Sequence, residues 1–241
     1  MPRTSTVEQV STRLRDMIWA GELAPGLRLG EVALAKSFSV SRPTIRAAIQ
    51  RLSAEGLVDY QIHHGATVAS LDASDLADLY AVRRLIELAA VQRIPAPGAA
   101  LRKMHDAVEA MDQYGGRVDS PEMVEHDCSF HAGIVSMLES PRTDRFFVQL
   151  TTELRLALGI HLAADTRGIA TRGSSGETTA ETHQSVVAEH REIYDRIAAE
   201  ENVVAMLEGH LERAERRVRG LLAAARPGSE TEAESDPQPE P

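Results

Sequence analysis

The chain has 241 residues, of which 43% are hydrophobic and 26% carry a charge. A chain of this length can form two modest domains, each with a hydrophobic core of its own. The formal net charge of −10 argues against a protein whose whole surface coats nucleic acid. The charge is uneven, however, because residues 1–70 carry a net charge of +2 and the remainder carries −12. A local surface for nucleic acid near the N-terminus is compatible with this distribution.

Cys128 is the only cysteine of the chain, so neither an intramolecular disulfide nor a cysteine-based zinc cluster can form. This composition fits a reducing compartment, and we expect a cytoplasmic protein. No apolar run approaches the roughly 18 residues that span a bilayer, which argues against a membrane partner. We interpret Cys128 as a buried structural thiol and not as a redox sensor, because no second cysteine could resolve its oxidised form.

Three short helices are predicted at the start of the chain. Residues 6–20 place apolar side chains at spacings of three and four, which is typical of an amphipathic helix. Residues 21–26 are rich in Gly and Pro and predict a turn, and a second short helix is predicted over 31–37. Ser41 is a favourable N-cap for a third helix that ends near Glu55.

Two β-strands are predicted after the third helix, over residues 57–62 and 66–69, with a tight glycine turn between them. Three short helices and a two-stranded wing are the layout of a winged helix-turn-helix domain, whose third helix enters the DNA major groove. At the turn, the imidazole of His64 is a hydrogen-bond donor, and Gly65 permits a close approach of the backbone. Both are suited to a minor-groove or phosphate contact.

The first turn and a half of the third helix is crowded with Ser41, Arg42, Thr44 and Arg46. Backbone amides and the positive end of the helix dipole favour phosphate at this position. Arginine can also bond the O6 and N7 atoms of guanine bidentately. The alternative is that both arginines are solvated charges on an exposed helix face.

Beyond residue 70 the pattern is helical throughout. The predicted helices cover residues 72–94, 98–114, 120–139, 142–163, 181–199 and 202–225. A loop rich in Gly, Ser and Thr is predicted over 166–180, and residues 226–241 are expected to be a disordered acidic tail. The sequence therefore predicts a mainly α protein, with a winged helix-turn-helix domain over 1–70 and an all-α antiparallel bundle over 71–225.

Five short motifs follow one another in the N-terminal domain. They are Pro25-Gly26, Leu29–Ala35, Val40–Arg42, Arg46–Ile49 and Glu55–Val58. This ordered set resembles the GntR family of bacterial transcription regulators. Two positions depart from the family pattern. Val32 stands where a related FadR-type regulator has a DNA-contacting arginine, and Pro43-Thr44 stands where the family usually has Thr-Pro. The operator sequence of related regulators therefore does not carry over to this protein. The candidate DNA-binding residues are Arg28, Ser41, Arg42, Thr44, Arg46, His64 and Gly65.

Four metal-competent side chains interrupt the apolar faces of three predicted helices. They are Asp127, His131, His190 and His210. Burying one such group without a partner costs a few kcal/mol, so four converging groups call for a shared partner. A divalent cation would satisfy all four, with zinc as the first expectation and nickel, iron or manganese as other metals that suit these ligands. The alternative for each histidine is a core imidazole bonded to a backbone carbonyl or to a neighbouring carboxylate.

The helical segment is similar to the FCD ligand-binding domain of the FadR subfamily. In that domain an Asp-x-x-x-His pair, a Glu-His pair and a His-Leu pair hold a metal ion. The matching pairs are Asp127 with His131, Glu189 with His190, and His210 with Leu211. The spacing between the last two pairs is shorter than the family usually shows, so His183 and His161 are alternatives to His210.

Arg83 and Glu87 lie four residues apart on the helix predicted over 72–94. They are in register with the Arg and Glu that members of this family keep near the pocket. Arg83 could hold the carboxylate of an effector bidentately. The alternative is a surface ion pair with Glu87, worth a few tenths of a kcal/mol.

Together these features predict a ligand-responsive transcription regulator, expected to be a repressor, and no enzyme. A single winged helix buries too little DNA for tight specific binding, so we expect a homodimer on a palindromic operator. A small carboxylate effector would bind near the metal and change the packing of the helices. One alternative is a metal-dependent hydrolase, although no general base is evident on a loop. The other is an interaction protein with a metal-free histidine core, which a chelator would leave unchanged.

Overall fold

The computed structural model of the chain describes residues 5–61, 65–114, 120–166 and 179–225. His64, most of the loop predicted over 166–180 and the tail 226–241 lie outside the described residues. Within the described ranges, no helix combines the length and the apolar character needed to cross a membrane.

The N-terminal part contains three helices and a small sheet. Its elements are α1 (Thr6–Trp19), β1 (Arg28–Leu29), α2 (Glu31–Ser37), α3 (Arg42–Ala54), β2 (Val58–Gln61) and β3 (Gly65–Val68). Ser41 caps α3, because its hydroxyl accepts a hydrogen bond from the backbone N–H of Thr44. Pro43 fits in the first turn, where a missing N–H has no helical partner. The buried face of α3 packs against α1 and consists of Ile45, Ala48, Ile49 and Leu52. The predicted helix order is confirmed.

The sheet is antiparallel and has the strand order β1-β3-β2. Strands β2 and β3 form the predicted hairpin, with Gln61 opposite Gly65. The expected two-stranded wing is corrected to a three-stranded sheet, because β1 also pairs with β3. Strand β1 has only two residues, of which Leu29 is buried and Arg28 is exposed. A strand this short shows no alternating pattern that a sequence could reveal.

The rest of the described chain is helical, as predicted. Its elements are α4 (Ala73–Ala90), α5 (Gly98–Tyr114), α6 (Pro121–Ser136), α7 (Pro141–Thr166), α8 (Thr179–Ala198) and α9 (Val204–Ala225). Helix α4 ends four residues earlier than predicted, and Pro95 disfavours helical geometry at the residue before it. Helix α6 ends before Glu139, whose φ of 51° turns the chain out of the helix. Apolar residues continue the stripe beyond the end of α6, which explains the longer prediction.

Two clusters of buried apolar side chains hold the structure together. The first joins α1, α3 and the sheet to the helical part through Phe147 and Leu150 of α7 and Val218 of α9. The second lies among α5, α6, α8 and α9, with Phe130 and Leu207 fully buried in it. Each such side chain contributes about 1.5–3 kcal/mol when it leaves water. Because the first cluster crosses the boundary, the N-terminal domain packs directly on the helical bundle.

A polar contact reinforces this boundary. The guanidinium of Arg155 on α7 lies 3.7 Å from the centre of the Trp19 ring on α1. Arg155 also forms an ion pair with Glu125 on α6. Helix α6 is therefore linked to the first helix of the N-terminal domain through one arginine.

Gly133 permits the close packing of α6 on α5. A Cβ at this position would lie 2.6 Å from Cγ of Met104 and 3.1 Å from its backbone nitrogen. Gly220 on α9 is also helical, but among the described residues a Cβ there would meet nothing within 4 Å beyond its chain neighbours and the backbone of its own helix. Neighbouring atoms therefore require glycine at position 133 but not at position 220, so Gly220 is a matched control for Gly133.

We expect Gly133→Ala to lower the free energy of unfolding by about 1–3 kcal/mol, because overpacking outweighs the helical preference of alanine. Gly220→Ala should raise it by up to about 1 kcal/mol, because only helix propensity changes. Urea unfolding of both variants measures these values. A stabilising Gly133→Ala would contradict the close contact of α5 and α6.

Candidate functional site

Three helices bring the four predicted metal-competent residues together. Asp127 and His131 lie on α6, His190 lies on α8 and His210 lies on α9. One ligand atom from each lies within 4.8 Å of every other. The Oδ1 atom of Asp127 is 3.1 Å from Nε2 of His190, and Nε2 of His131 is 3.4 Å from Nε2 of His210. The three imidazoles are buried and Asp127 is partly buried.

Each imidazole is held by a hydrogen bond at its other nitrogen. Nδ1 of His190 lies 2.7 Å from the backbone carbonyl of Val186. Nδ1 of His131 lies 2.6 Å from Oε2 of Glu87, and Nδ1 of His210 lies 3.0 Å from Oε2 of Glu189. Carbonyl and carboxylate oxygens only accept, so we assign the proton of each neutral ring to Nδ1. The lone pair of each ring then lies on Nε2, on the side of the cluster.

This assignment leaves acceptors facing one another. The buried Nε2 of His190 has no hydrogen-bond partner among the described residues, although the Asp127 oxygen is close. Burial and the neighbouring His190 lower the pKa of His210 to about 4, which keeps its ring neutral at pH 7. Burial opposes ionisation of Asp127, and the pKa of that carboxyl falls below its usual range only where His131 and His190 carry a positive charge, which their neutral rings do not.

A divalent cation fits this arrangement. Three imidazole lone pairs and one carboxylate are a donor set that zinc and related metals bind. Hydrogen bonds at the opposite ring nitrogens orient such ligands in metal sites. The buried Nε2 atom of His190, which has no hydrogen-bond partner among the described residues, offers a lone pair that a cation would accept.

Arg83 and Glu87 form a buried pair on α4, so the alternative of a surface ion pair was wrong. The side chains are 1% and 0% exposed, and Nε of Arg83 donates to Oε1 of Glu87 over 2.9 Å. Glu87 thereby connects Arg83 to His131. Burial opposes ionisation of Glu87, but His131 and Arg83 lower the pKa of its carboxyl below the usual value. Nη2 of Arg83 is buried without a hydrogen-bond partner among the described residues, which leaves a donor for an additional group.

The roles of Glu87 and Glu189 as orienting groups were missed by the sequence analysis. The sequence pairs Glu87 with Arg83 and places Glu189 in a Glu-His pair, but it does not indicate that either carboxylate holds an imidazole. Glu189 accepts from His210 and from Nε of Arg213, and these bonds lower the pKa of its carboxyl to about 2. The role of Glu87 could have been found, because a carboxylate on the buried face of α4 requires a polar partner. No periodicity signals the role of Glu189, because Glu189 reaches across to another helix.

The side chains of His161 and His183, the alternatives to His210, are outside the described part of the structure. Cys128 is buried, as predicted, and burial raises the pKa of its thiol to about 12. It is therefore a neutral thiol next to Asp127 in the chain.

Apart from His64, which is outside the described residues, the predicted DNA-facing residues lie at the start of α3 and beside the wing. The side chains of Arg42 and Arg46 are 61% and 49% exposed. Both approach Glu31 at the start of α2, and Arg46 makes two hydrogen bonds to it. The hydroxyls of Ser41 and Thr44 are hydrogen-bonded to each other over 2.8 Å.

Arg28 lies under the wing at Gly65. A Cβ added to Gly65, whose φ is 91°, would lie 3.5 Å from Nη2 of Arg28. The positive φ favours glycine at the position, whereas the guanidinium would be in ordinary van der Waals contact with a Cβ. Arg28 and Gly65 are therefore adjacent in the structure, as a shared DNA contact requires.

Comparisons with known proteins agree with the two-part architecture. A family model described as bacterial regulatory proteins of the gntR family matches residues 6–68, and an FCD domain model matches residues 78–224. A protein from Rhodococcus sp. RHA1, described as a GntR transcriptional regulator, is 30% identical in sequence with a TM-score of 0.71. That alignment covers 90% of this chain and 99% of the other. The chain belongs to the GntR family.

Two curated relatives extend the comparison of this GntR-family protein. The uncharacterized HTH-type transcriptional regulator YdhC of Bacillus subtilis is 27% identical over 207 residues, which are 82% of this chain and 85% of YdhC. The gluconate operon transcriptional repressor of Bacillus licheniformis is 30% identical over 140 residues, which are 56% of each chain. Both are regulators of transcription.

In this GntR-family protein, Arg83 and its neighbour Arg84 differ in burial. The Arg84 side chain is 27% exposed and pairs with Glu215, which keeps Arg219 as a second partner. Arg83→Ala should lower the free energy of unfolding by about 3–5 kcal/mol, because it leaves Glu87 buried without its cation. Arg84→Ala should cost about 1 kcal/mol or less. Equal losses in urea unfolding would contradict the buried character of the Arg83 pair.

Proposed function

We propose that this GntR-family protein is a ligand-responsive repressor that binds a palindromic operator as a homodimer. In this proposal residues 1–70 bind DNA, and residues 71–225 bind a metal ion and a small carboxylate effector. The observation that carries the proposal is the convergence of three imidazole lone pairs and Asp127 in a bundle that packs on a winged helix.

The DNA-binding role is assigned to the start of α3. Exposed arginines at this helix end can bond guanine and phosphate. Ser41, Thr44, Arg28, His64 and Gly65 are proposed to contact the backbone or the minor groove. One winged helix buries little DNA, so two copies related by a two-fold axis are proposed to read two half-sites. Repression is supported by the similarity to a gluconate operon repressor.

The effector is proposed to be a small organic acid. A bound zinc, nickel, iron or manganese ion would balance the charge of Asp127 and supply a Lewis acid for a carboxylate. On the protein side, the unpartnered Nη2 of Arg83 would donate to the effector. Glu87 holds both Arg83 and His131, so it couples the effector contact to a metal ligand.

Helix α6 is proposed to carry the signal. It bears Asp127 and His131 at the site and Glu125 at the boundary with the N-terminal domain. Glu125 binds Arg155, whose guanidinium lies over Trp19 of α1. A shift of α6 on effector binding would therefore change how α1 packs. The effector can change the free energy of DNA binding only by the difference between its binding free energies for the DNA-bound and the released conformation.

The hydrolase alternative gains no support from the site. Around the cluster, the described carboxylates Glu87 and Glu189 each hold an imidazole by a hydrogen bond. Neither is positioned as a general base that could activate water. The relatives are transcription regulators, in agreement with this reasoning.

Metal binding is tested with protein purified without an affinity tag. We expect one divalent ion per chain, and zinc at 100 times its Kd should raise the free energy of unfolding by about 2.7 kcal/mol. His190→Ala should abolish this gain, whereas His105→Ala, an exposed residue on α5, should retain it. Metal content and thermal unfolding measure both. An equal gain in the two variants would contradict the proposed ligands.

DNA binding is tested by selecting fragments from a random duplex pool. The wild-type protein should enrich a palindromic site, and Arg46→Ala should lose about 1–3 kcal/mol of discrimination at one base pair per half-site. Arg13→Ala, an exposed arginine on α1, should keep the preference. If no fragment is enriched by a folded wild-type protein, the proposed function is wrong.

A further inference from the structure

Glu31 holds the arginine that the proposed DNA contact uses. It is the first residue of α2. Its Oε1 accepts from Nε of Arg46 over 2.9 Å, and its Oε2 accepts from Nη2 of the same arginine over 2.8 Å. Nη2 of Arg42 lies 3.7 Å from Oε2. Hydrogen bonding to Arg46 outweighs burial and lowers the pKa of Glu31, so the carboxyl is ionised at pH 7.

The two hydrogen bonds use only one edge of the guanidinium. A guanidinium has five N–H donors in a fixed plane, and Glu31 takes the edge formed by Nε and Nη2. The opposite edge, formed by Nη1 and the second hydrogen of Nη2, keeps donors that match guanine O6 and N7. Since about half of the Arg46 side chain is exposed, the pairing with Glu31 is compatible with a second partner.

Pairing before DNA binding has two consequences. It restricts the rotamers of Arg46, so less side-chain entropy is lost when a base is bound. It also places a negative charge close to the DNA surface, where phosphates repel it. The first effect favours the correct base, and the second weakens binding to any duplex. Only the first effect raises the preference for the correct site over other DNA, because the repulsion acts equally on both.

We propose that Glu31 is a specificity-determining positioning residue that presents the free edge of Arg46 to a guanine. This inference rests on the proposed DNA-binding function. It adds that sequence preference depends on a carboxylate that itself makes no contact with a base.

Two variants separate geometry from charge. Glu31→Asp keeps the charge and the acidic first turn of α2, but its shorter side chain cannot span both hydrogen bonds without moving the helix. Glu31→Gln removes the charge. Glu22→Gln is the matched control, because Glu22 is an exposed carboxylate of the same domain, in the turn that follows α1. Thermal unfolding of each full-length variant establishes that it is folded.

The experiment measures binding to the fragment that wild type selects from a random duplex pool and to single-base-pair changes of it. A bidentate arginine–guanine pair discriminates about 5- to 150-fold. We expect Glu31→Asp to lose roughly tenfold of this discrimination, at the same base pair where Arg46→Ala loses it. Glu31→Gln should lose it there too, and should bind unrelated duplex more tightly than wild type does. Glu22→Gln should keep the wild-type discrimination.

Two results would overturn the role of Glu31. The first is unchanged discrimination in a folded Glu31→Asp variant. The second is a Glu31→Gln variant that gains more affinity for the selected fragment than for unrelated duplex, because Glu31 would then sequester Arg46. If the wild-type protein selects no fragment, the proposed DNA-binding function is itself wrong. In the two results above, the wild-type protein selects a fragment and only the role of Glu31 fails, so the failure of the inference and the failure of the proposed function are distinguishable.

Discussion

The hydrogen bonds at Nδ1 of three buried histidines determine what the helical bundle can do. A carbonyl, Glu87 and Glu189 each accept from one ring, and the three Nε2 lone pairs are thereby directed into one cluster with Asp127. Such an arrangement is unfavourable without a cation, because buried acceptors face each other. The helices that supply the ligands are also the helices that build the core of the bundle.

The same helices connect the cluster to the N-terminal domain. Helix α6 carries two of the four clustered residues and contacts α7, which packs on α1. Because one apolar cluster contains residues from both parts of the chain, a change in helix packing within that cluster affects both parts. This continuity gives the proposed effector a physical route to the DNA-binding surface, in which Arg155 and Trp19 are the polar contact.

Much of this architecture was predictable from the sequence. Apolar residues at spacings of three and four revealed the helices, and polar residues inside those stripes revealed Asp127, His131, His190 and His210. The short strand β1 was not predictable, since two residues carry no period. The acceptor for each Nδ1 atom was also hidden, because it depends on helix rotation and on contacts such as Glu87 to His131, which are 44 positions apart. Likewise, the burial of Arg83 could not be inferred from its charge, which is typical of a surface residue.

The most direct test is anomalous diffraction from crystals of the full-length protein grown with zinc. We expect one strong anomalous peak per chain among Asp127 and the Nε2 atoms of His131, His190 and His210, with each Nδ1 atom still bonded to its present acceptor. A zinc ion bound through an Nδ1 atom, or a folded chain with no peak at this cluster, would contradict the central role of these hydrogen bonds.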